Sequence, residues 1–222
     1  MYLKQFFGDV SSPHPCAQCR GDETLDFRVR MAFQPILDVA ARSIWAYEAL
    51  VRGEQGEPAA EVIARVPPDK LYRFDQTCRV LAIDTAARLG MATRLSINFA
   101  PNAVYEPATC IRLTLAAAER CGFDPRQLIF EVTESEKIRD VPHVVRIIKD
   151  YQGRGFLTAI DDFGAGYAGL NLLAEGVETL SEFAALRDMS ITRFQGFLFS
   201  RPALEALPTI DPGLWDTLDA VL

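Results

Sequence analysis

Residues 128–163 read LIFEVTESEKIRDVPHVVRIIKDYQGRGFLTAIDDF, and this stretch decides the fold. LIFEVTE (128–134) is a short apolar run of strand-forming residues. A helical pattern follows, with Pro142 near its start and Gly153 near its end, where those two residues are best tolerated. The chain then enters a second apolar run, LTAIDDF (157–163). A strand, a helix and a second strand in one short span predict parallel pairing, because a crossover must return the chain to the same edge.

Working outward, the alternation continues. MAFQPILD (31–38) and SIWAYEALV (43–51) are separated by a few turn-prone residues and predict an antiparallel pair. Leu71, Phe74, Cys78, Leu81 and Thr85, at spacings of three and four, predict a long helix. RLSINFA (94–100) reads as a strand, followed by a helix through Ile111, Leu115 and Ala118 that ends at Gly122. The last third predicts a helix near 178–189, a strand ITRFQGFLFS (191–200) and a terminal helix around 213–222. Six strands stand out, with LNLL (170–173) as a weaker seventh. Residues 1–26 form a separate N-terminal arm with a Ser/Pro middle, leaving 27–222 for one domain.

Such alternation fits an open doubly wound sheet or a barrel, and polar residues decide between them. Glu48, Asn98, Glu131 and Asp161 each fall in the later half of a predicted strand, where they interrupt or close an apolar run. In a (β/α)8 barrel those strand ends converge on one face, so four oxygen-bearing side chains would share a pocket. Clustered carboxylates repel one another in a low-dielectric site unless a cation neutralises them. Three carboxylates and an amide carbonyl are hard donors suited to Mg²⁺, Mn²⁺ or Ca²⁺. Asp162, beside Asp161, supplies an acid for a second ion, and two ions in such a pocket point to hydrolysis at a phosphate.

Composition narrows the function classes. The chain has 222 residues, 49% of them hydrophobic, enough for a sizeable core. A formal charge of −7 argues against binding a nucleic-acid polymer. No apolar stretch is long enough to span a bilayer, and no signal-peptide profile is visible. Five Cys, an odd number, favour a reducing, cytoplasmic setting over a disulfide framework. His14, Cys16 and Cys19 in HPCAQC are half of a zinc pattern with no second half, so surface thiols are the reading. His143 reads as surface. Two His residues, neither near the acidic motifs, exclude a His-rich metal phosphodiesterase. DFG at 162–164 lacks the companion kinase motifs. The aromatic residues, including Trp45, Phe33, Phe194, Phe197 and Phe199, read mostly as core.

With these residues in view, the sequence resembles the EAL-domain family. The matching stretches are FQPILD, YEALVRG, SINFAP, FEVTES, IDDFGAGYAGL, AEGVET and FQGFLFSRP, in family order from about residue 31 to 202. The resemblance implies a TIM-like (β/α)8 barrel with an antiparallel first strand. It also implies a metal-dependent phosphodiesterase that opens the bacterial second messenger cyclic di-GMP to linear pGpG, with two Mg²⁺ or Mn²⁺ ions. Carried over by position, Glu48, Asn98, Glu131 and Asp161 resemble metal ligands, and Asp162 the acid at the other metal. Arg52 resembles the arginine that clamps a ligand phosphate, and Gln195 the site glutamine near the last strand. Glu175 resembles the acid at the metal and water site. Glu134 and Glu178 resemble the acids that brace the adjacent loop. Family members often pair through barrel helices, so the resemblance allows a homodimer.

One departure is plain. Between DDFG and AEGVET the family carries a further strand with a lysine-containing K-x-D motif, a helix and the start of the next strand. Here the chain is short of about one βα unit, with the join placed between Leu173 and Ala174: either the barrel truly lacks the unit, or a segment is omitted there, and the abrupt join between two intact flanks favours omission. No lysine in this sequence takes the K-x-D role, and in the family that lysine assists the attacking water. The alternative reading is therefore an inactive EAL module that acts as a cyclic di-GMP receptor or a protein-interaction scaffold.

Overall fold

The computed structural model describes residues 25–101, 104, 106–132, 140–160 and 173–221. It opens with a long hairpin, β1 (Val29–Asp38) and β2 (Ser43–Gly53), paired antiparallel. Helix α1 (Ala59–Ala64) and the long α2 (Leu71–Arg88) lead to β3 (Arg94–Phe99). Helices α3 (Pro107–Cys110) and α4 (Arg112–Cys121) precede β4 (Leu128–Val132); α5 (Val141–Gly153) precedes β5 (Leu157–Ile160). Then come β6 (Leu173–Ala174), α6 (Leu180–Asp188), β7 (Arg193–Phe194), β8 (Ala203–Leu204) and α7 (Pro212–Asp219).

The strands form one curled mixed sheet in the order β5-β4-β3-β2-β1-β7-β6, with β8 also on β1. β1 runs antiparallel to its neighbours, while β2 through β5 are mutually parallel, as are β6 and β7. The result is an α/β half-barrel. Among the described residues no strand lies between β5 and β6, so each pairs on one side only. Leu173 and Ala174, the residues expected to flank the join, stand together in β6 and pair with β7.

Register divides the sheet into two faces, because side chains alternate along a strand. One face carries the main core: Phe33, Tyr47, Ile97, Phe99 and Phe130 pack under Val80 and Ile83 of α2, Ala118 of α4, and Ile147 and Tyr151 of α5. The other face carries a small apolar layer, Ile36, Ala46 and Ile129, and above it Gln34, Glu48, Ser96 and Glu131, all buried. A second core at the far end joins Phe183 of α6, Phe194 and Phe199, with ring centroids of Phe183 and Phe194 4.8 Å apart. Leu25 and Phe27 pack against Val29, Val62 and Phe74. His14, Cys16 and Cys19 lie outside the described residues.

Local sequence explains most boundaries. Gly122 ends α4 at φ 65°, a left-handed position that favours glycine. Asp140 caps α5 by accepting from His143 N at 3.0 Å, with Pro142 in the first turn. His143 is half-buried rather than surface, its Nε2 against the Val104 carbonyl. The expected strand over 191–200 is shorter than its apolar run: only Arg193 and Phe194 join the ladder, and the chain turns after Gly196. Phe197 is consequently 47% exposed, stacked under Arg201, and not core.

Candidate functional site

Glu48 is the hub of the polar layer. It sits midway along β2, 8% exposed, opposite Gln34 of β1. Two carboxamides use its two oxygens: Asn98 Nδ2 donates to Oε1 at 2.6 Å, and Gln195 Nε2 donates to Oε2 at 2.6 Å. Gln195 Nε2 also reaches Gln34 Oε1 at 3.1 Å, and Gln34 Nε2 donates to the Ser200 carbonyl at 3.0 Å. This network ties β1, β2 and β3 to the segment after β7. Glu131, 3% exposed, stands beside Asn98 in the parallel ladder of β3 and β4. Glu48, Asn98, Glu131 and Gln195 are thus brought together.

Arg52 lies on the same face as Glu48, two pleats further along β2, or about 13 Å at the usual rise. Its Nη1 donates to the Val51 carbonyl at 2.8 Å. Burial pushes its guanidinium pKa down, and the charge of Glu48 pulls it back up. A cavity of 540 Å³ lies between β2, β3 and the helices α1 and α2, lined mostly by helix-side apolar residues such as Ile63, Phe74 and Phe99, and reached by Glu48, Asn98 and Asp75. That volume is in the range of sites for small organic ligands.

Glu175 follows β6 directly and is exposed. The AEGVET turn is held against the FQGF turn by two backbone bonds, Gln195 N to Ala174 O at 2.8 Å and Val177 N to Gln195 O at 3.1 Å. Gly196 is required there, because a Cβ would overlap the backbone of Val177. Glu178 is exposed; its backbone N–H donates to Glu182 Oε2 at 3.0 Å, next to the Thr179–Glu182 capping box of α6. Asp161, Asp162 and Glu134 lie outside the described residues.

Gln34 belongs to this site although sequence reasoning passed over it. Counting back from the hairpin turn, where Asp38 pairs with Ser43, aligns Glu48 with Phe33. A register shift between Ile36 and Leu37 moves Gln34 opposite Glu48 instead. The bulge at Trp45 is the physical signal, and an isolated sequence does not display it.

The donor set suits a hard divalent cation. Among the described residues no three His, Cys, Asp or Glu side chains converge. Two carboxylates and two carboxamides do, and Gln195 Oε1 is buried without a hydrogen-bond partner. A buried, unsatisfied acceptor is costly in isolation and becomes favourable beside a cation. Glu48, Asn98 and Glu131 would hold such an ion with oxygen ligands, with Gln195 bound to Glu48 beside them.

The chain is 28% identical over 223 residues to the blue light- and temperature-regulated antirepressor BluF of Escherichia coli (strain K12), covering 81% of this chain and 55% of BluF. This chain thus spans about half the length of that relative. Its fold is similar to a standalone versatile EAL protein from Vibrio cholerae O395 in its c-di-GMP bound form, with TM-score 0.78 and 43% identity over 86% of this chain and 99% of that one. It is also similar to Klebsiella pneumoniae BlrP1 in a manganese/cy-diGMP complex, with TM-score 0.73 and 29% identity over 85% of this chain and 59% of that one. The EAL domain model matches residues 24–174. With its half-barrel, antiparallel first strand and polar strand ends, the chain belongs to the EAL domain family.

Proposed function

We propose that this chain binds cyclic di-GMP at the ends of its parallel strands and hydrolyses one of its phosphodiester bonds to give linear pGpG. The observation that carries this reading is the Glu48–Asn98–Gln195 hydrogen-bonded cluster, with Glu48, Gln195 and the adjacent Glu131 buried. Two carboxamide donors hold the Glu48 oxygens in place beside a second buried carboxylate. In this reading Glu48, Asn98, Glu131 and Asp161 would hold one Mg²⁺ or Mn²⁺, and Asp162 would help hold a second. Bound ions of this class lower the pKa of a ligating water and neutralise phosphate oxygens.

The chain's own groups do the rest. The Arg52 guanidinium, on the same face as Glu48, clamps a non-bridging phosphate oxygen with a charge-assisted hydrogen bond. Gln195, fixed by Gln34, holds the Glu48 carboxylate in one orientation. Glu175, exposed in the turn after β6, takes the proton of the attacking water. The water oxygen bonds to phosphorus, the bond from phosphorus to the ribose O3′ breaks, and O3′ leaves as it takes a proton from solvent water. Glu134 and Glu178 brace the neighbouring loops.

A second reading, binding without turnover, has its own observation. Residues 163–174 contain no lysine, and among the described residues β5 and β6 have no strand between them. The relative BluF is described as an antirepressor, a role of contact with another protein, so scaffold function fits the same half-barrel. One experiment separates the readings: calorimetric titration with cyclic di-GMP in Mn²⁺, followed by chromatography of the products. Binding with pGpG supports hydrolysis; binding with intact ligand supports the receptor; neither outcome fits a protein that ignores the nucleotide.

A further inference from the structure

Behind the candidate site, on the helix side of the sheet, lies a buried charge pair that none of the roles above uses. Asp75 and Arg79 of α2 are 6% and 0% exposed. Arg79 Nη2 meets Asp75 Oδ2 at 2.7 Å, and Arg79 Nη1 donates to the Tyr151 hydroxyl of α5 at 3.1 Å. Gln76 Nε2 donates to Asp75 Oδ2 at 3.2 Å. Asp75 Oδ1 accepts the backbone N–H of Ala100 at 3.1 Å.

That last bond is the informative one. The ladder between β3 and β4 ends at Phe99 and Val132, so Ala100, two residues beyond Asn98, has left the sheet. A side chain from α2 replaces the missing ladder partner. The Arg79 guanidinium also lies 5.4 Å from the ring centroids of both Phe99 and Phe130. These are the neighbours of Asn98 and Glu131, and their side chains take the opposite face of the sheet. One ion pair therefore clamps the ends of the two strands that carry candidate ligands. Such a buried pair is seldom retained for stability, since a well-packed apolar substitute is often neutral or better.

We infer that Asp75, held by Arg79, is a positioning residue that fixes the end of β3 and thereby sets where Asn98 meets Glu48 and Glu131. The inference deepens the metal-site reading above and rests on it for its first readout.

Two double variants of the full chain test it. D75N/R79L keeps an acceptor oxygen for Ala100 N, and D75L/R79L removes it; both eliminate the charges and the Tyr151 bond equally. The D75N/R79L protein is expected to bind Mn²⁺ within about threefold of the parent, and D75L/R79L more weakly by on the order of tenfold, as for supports behind metal ligands. Both are expected to keep the parent's circular dichroism and a cooperative urea transition. Equal Mn²⁺ affinity in the two doubles would overturn the inference. If the parent takes up no Mn²⁺, the metal reading fails, and the Asn98 carboxamide reports instead. Its slowly exchanging amide protons are expected in D75N/R79L and lost in D75L/R79L; retention in both would again overturn the inference.

Discussion

Gln195 donates from one nitrogen to Glu48 and Gln34, so its removal isolates the worth of the polar layer. In Q195L the Glu48 carboxylate keeps Asn98 but loses a charge-assisted donor inside the half-barrel. Stability is expected to fall by about 1–3 kcal/mol, read as a lower urea midpoint at unchanged m. Mn²⁺ affinity is expected to fall at least as far as in D75L/R79L; an unchanged affinity would remove Gln195 from the site. Gly196 makes a steric counterpart. G196A drives a methyl into the Val177 backbone, and an overpacked position of this kind costs about 1–3 kcal/mol. At this scale the sequence was legible wherever a polar residue interrupts an apolar strand, as at Glu48, Asn98 and Glu131. It was not legible at Gln34, whose partner depends on the bulge, nor at Asp75, which reads in isolation as one more polar position on a helix.

Elements were legible where their ends carry chemistry. Gly122, Pro142 and Gly153 marked helix ends in the sequence, whereas the Asp140 cap and the Thr179–Glu182 box, which satisfy orphan backbone groups, were passed over. The run ITRFQGFLFS misled because apolar residues mark burial, not pairing: Phe199 enters the second core from a turn. β8, two residues long, carries no periodic signal at all. Its attachment to β1 is electrostatic as well as backbone: Glu205 N donates to Met31 O at 2.9 Å, and Arg30 Nη2 donates to Glu205 Oε2 at 2.9 Å. The Arg30 hydrogen bond holds the Glu205 carboxyl below its ordinary 4.5, against a smaller opposing effect of burial. A depressed carboxylate contributes its stability fully above that ordinary value and loses it as pH falls through the lowered one. Parent stability relative to E205Q is therefore expected to shrink on acidification below 4.5, measured by parallel urea titrations. A constant difference would show that the pair contributes nothing to folding.

At the scale of the whole molecule, the half-barrel leaves consequences that a closed barrel would not. β5 pairs only with β4 among the described residues. Leu157, opposite Ile129 in the register, is 41% exposed, and Val141 and Val145 on the adjacent α5 are 62% and 42% exposed. An apolar strand edge of this kind templates association. Light scattering is expected to show concentration-dependent self-association of the parent, reduced in L157K; a monodisperse monomer at all concentrations would contradict this. Among the described residues no helix is long and apolar enough to cross a membrane. What was legible in the sequence is a shortfall of about one strand–helix unit, from the abrupt passage of GLNLL into AEGVET, since each unit needs its own length of chain.

The central claim is that the strand-end cluster around Glu48 acts on cyclic di-GMP. The most direct measurement is product formation from cyclic di-GMP in Mn²⁺, comparing the parent with E48Q on protein of verified intact mass. The account predicts pGpG from the parent, dependent on the metal, and none from E48Q. Cyclic di-GMP left intact by the parent in saturating Mn²⁺ would contradict it.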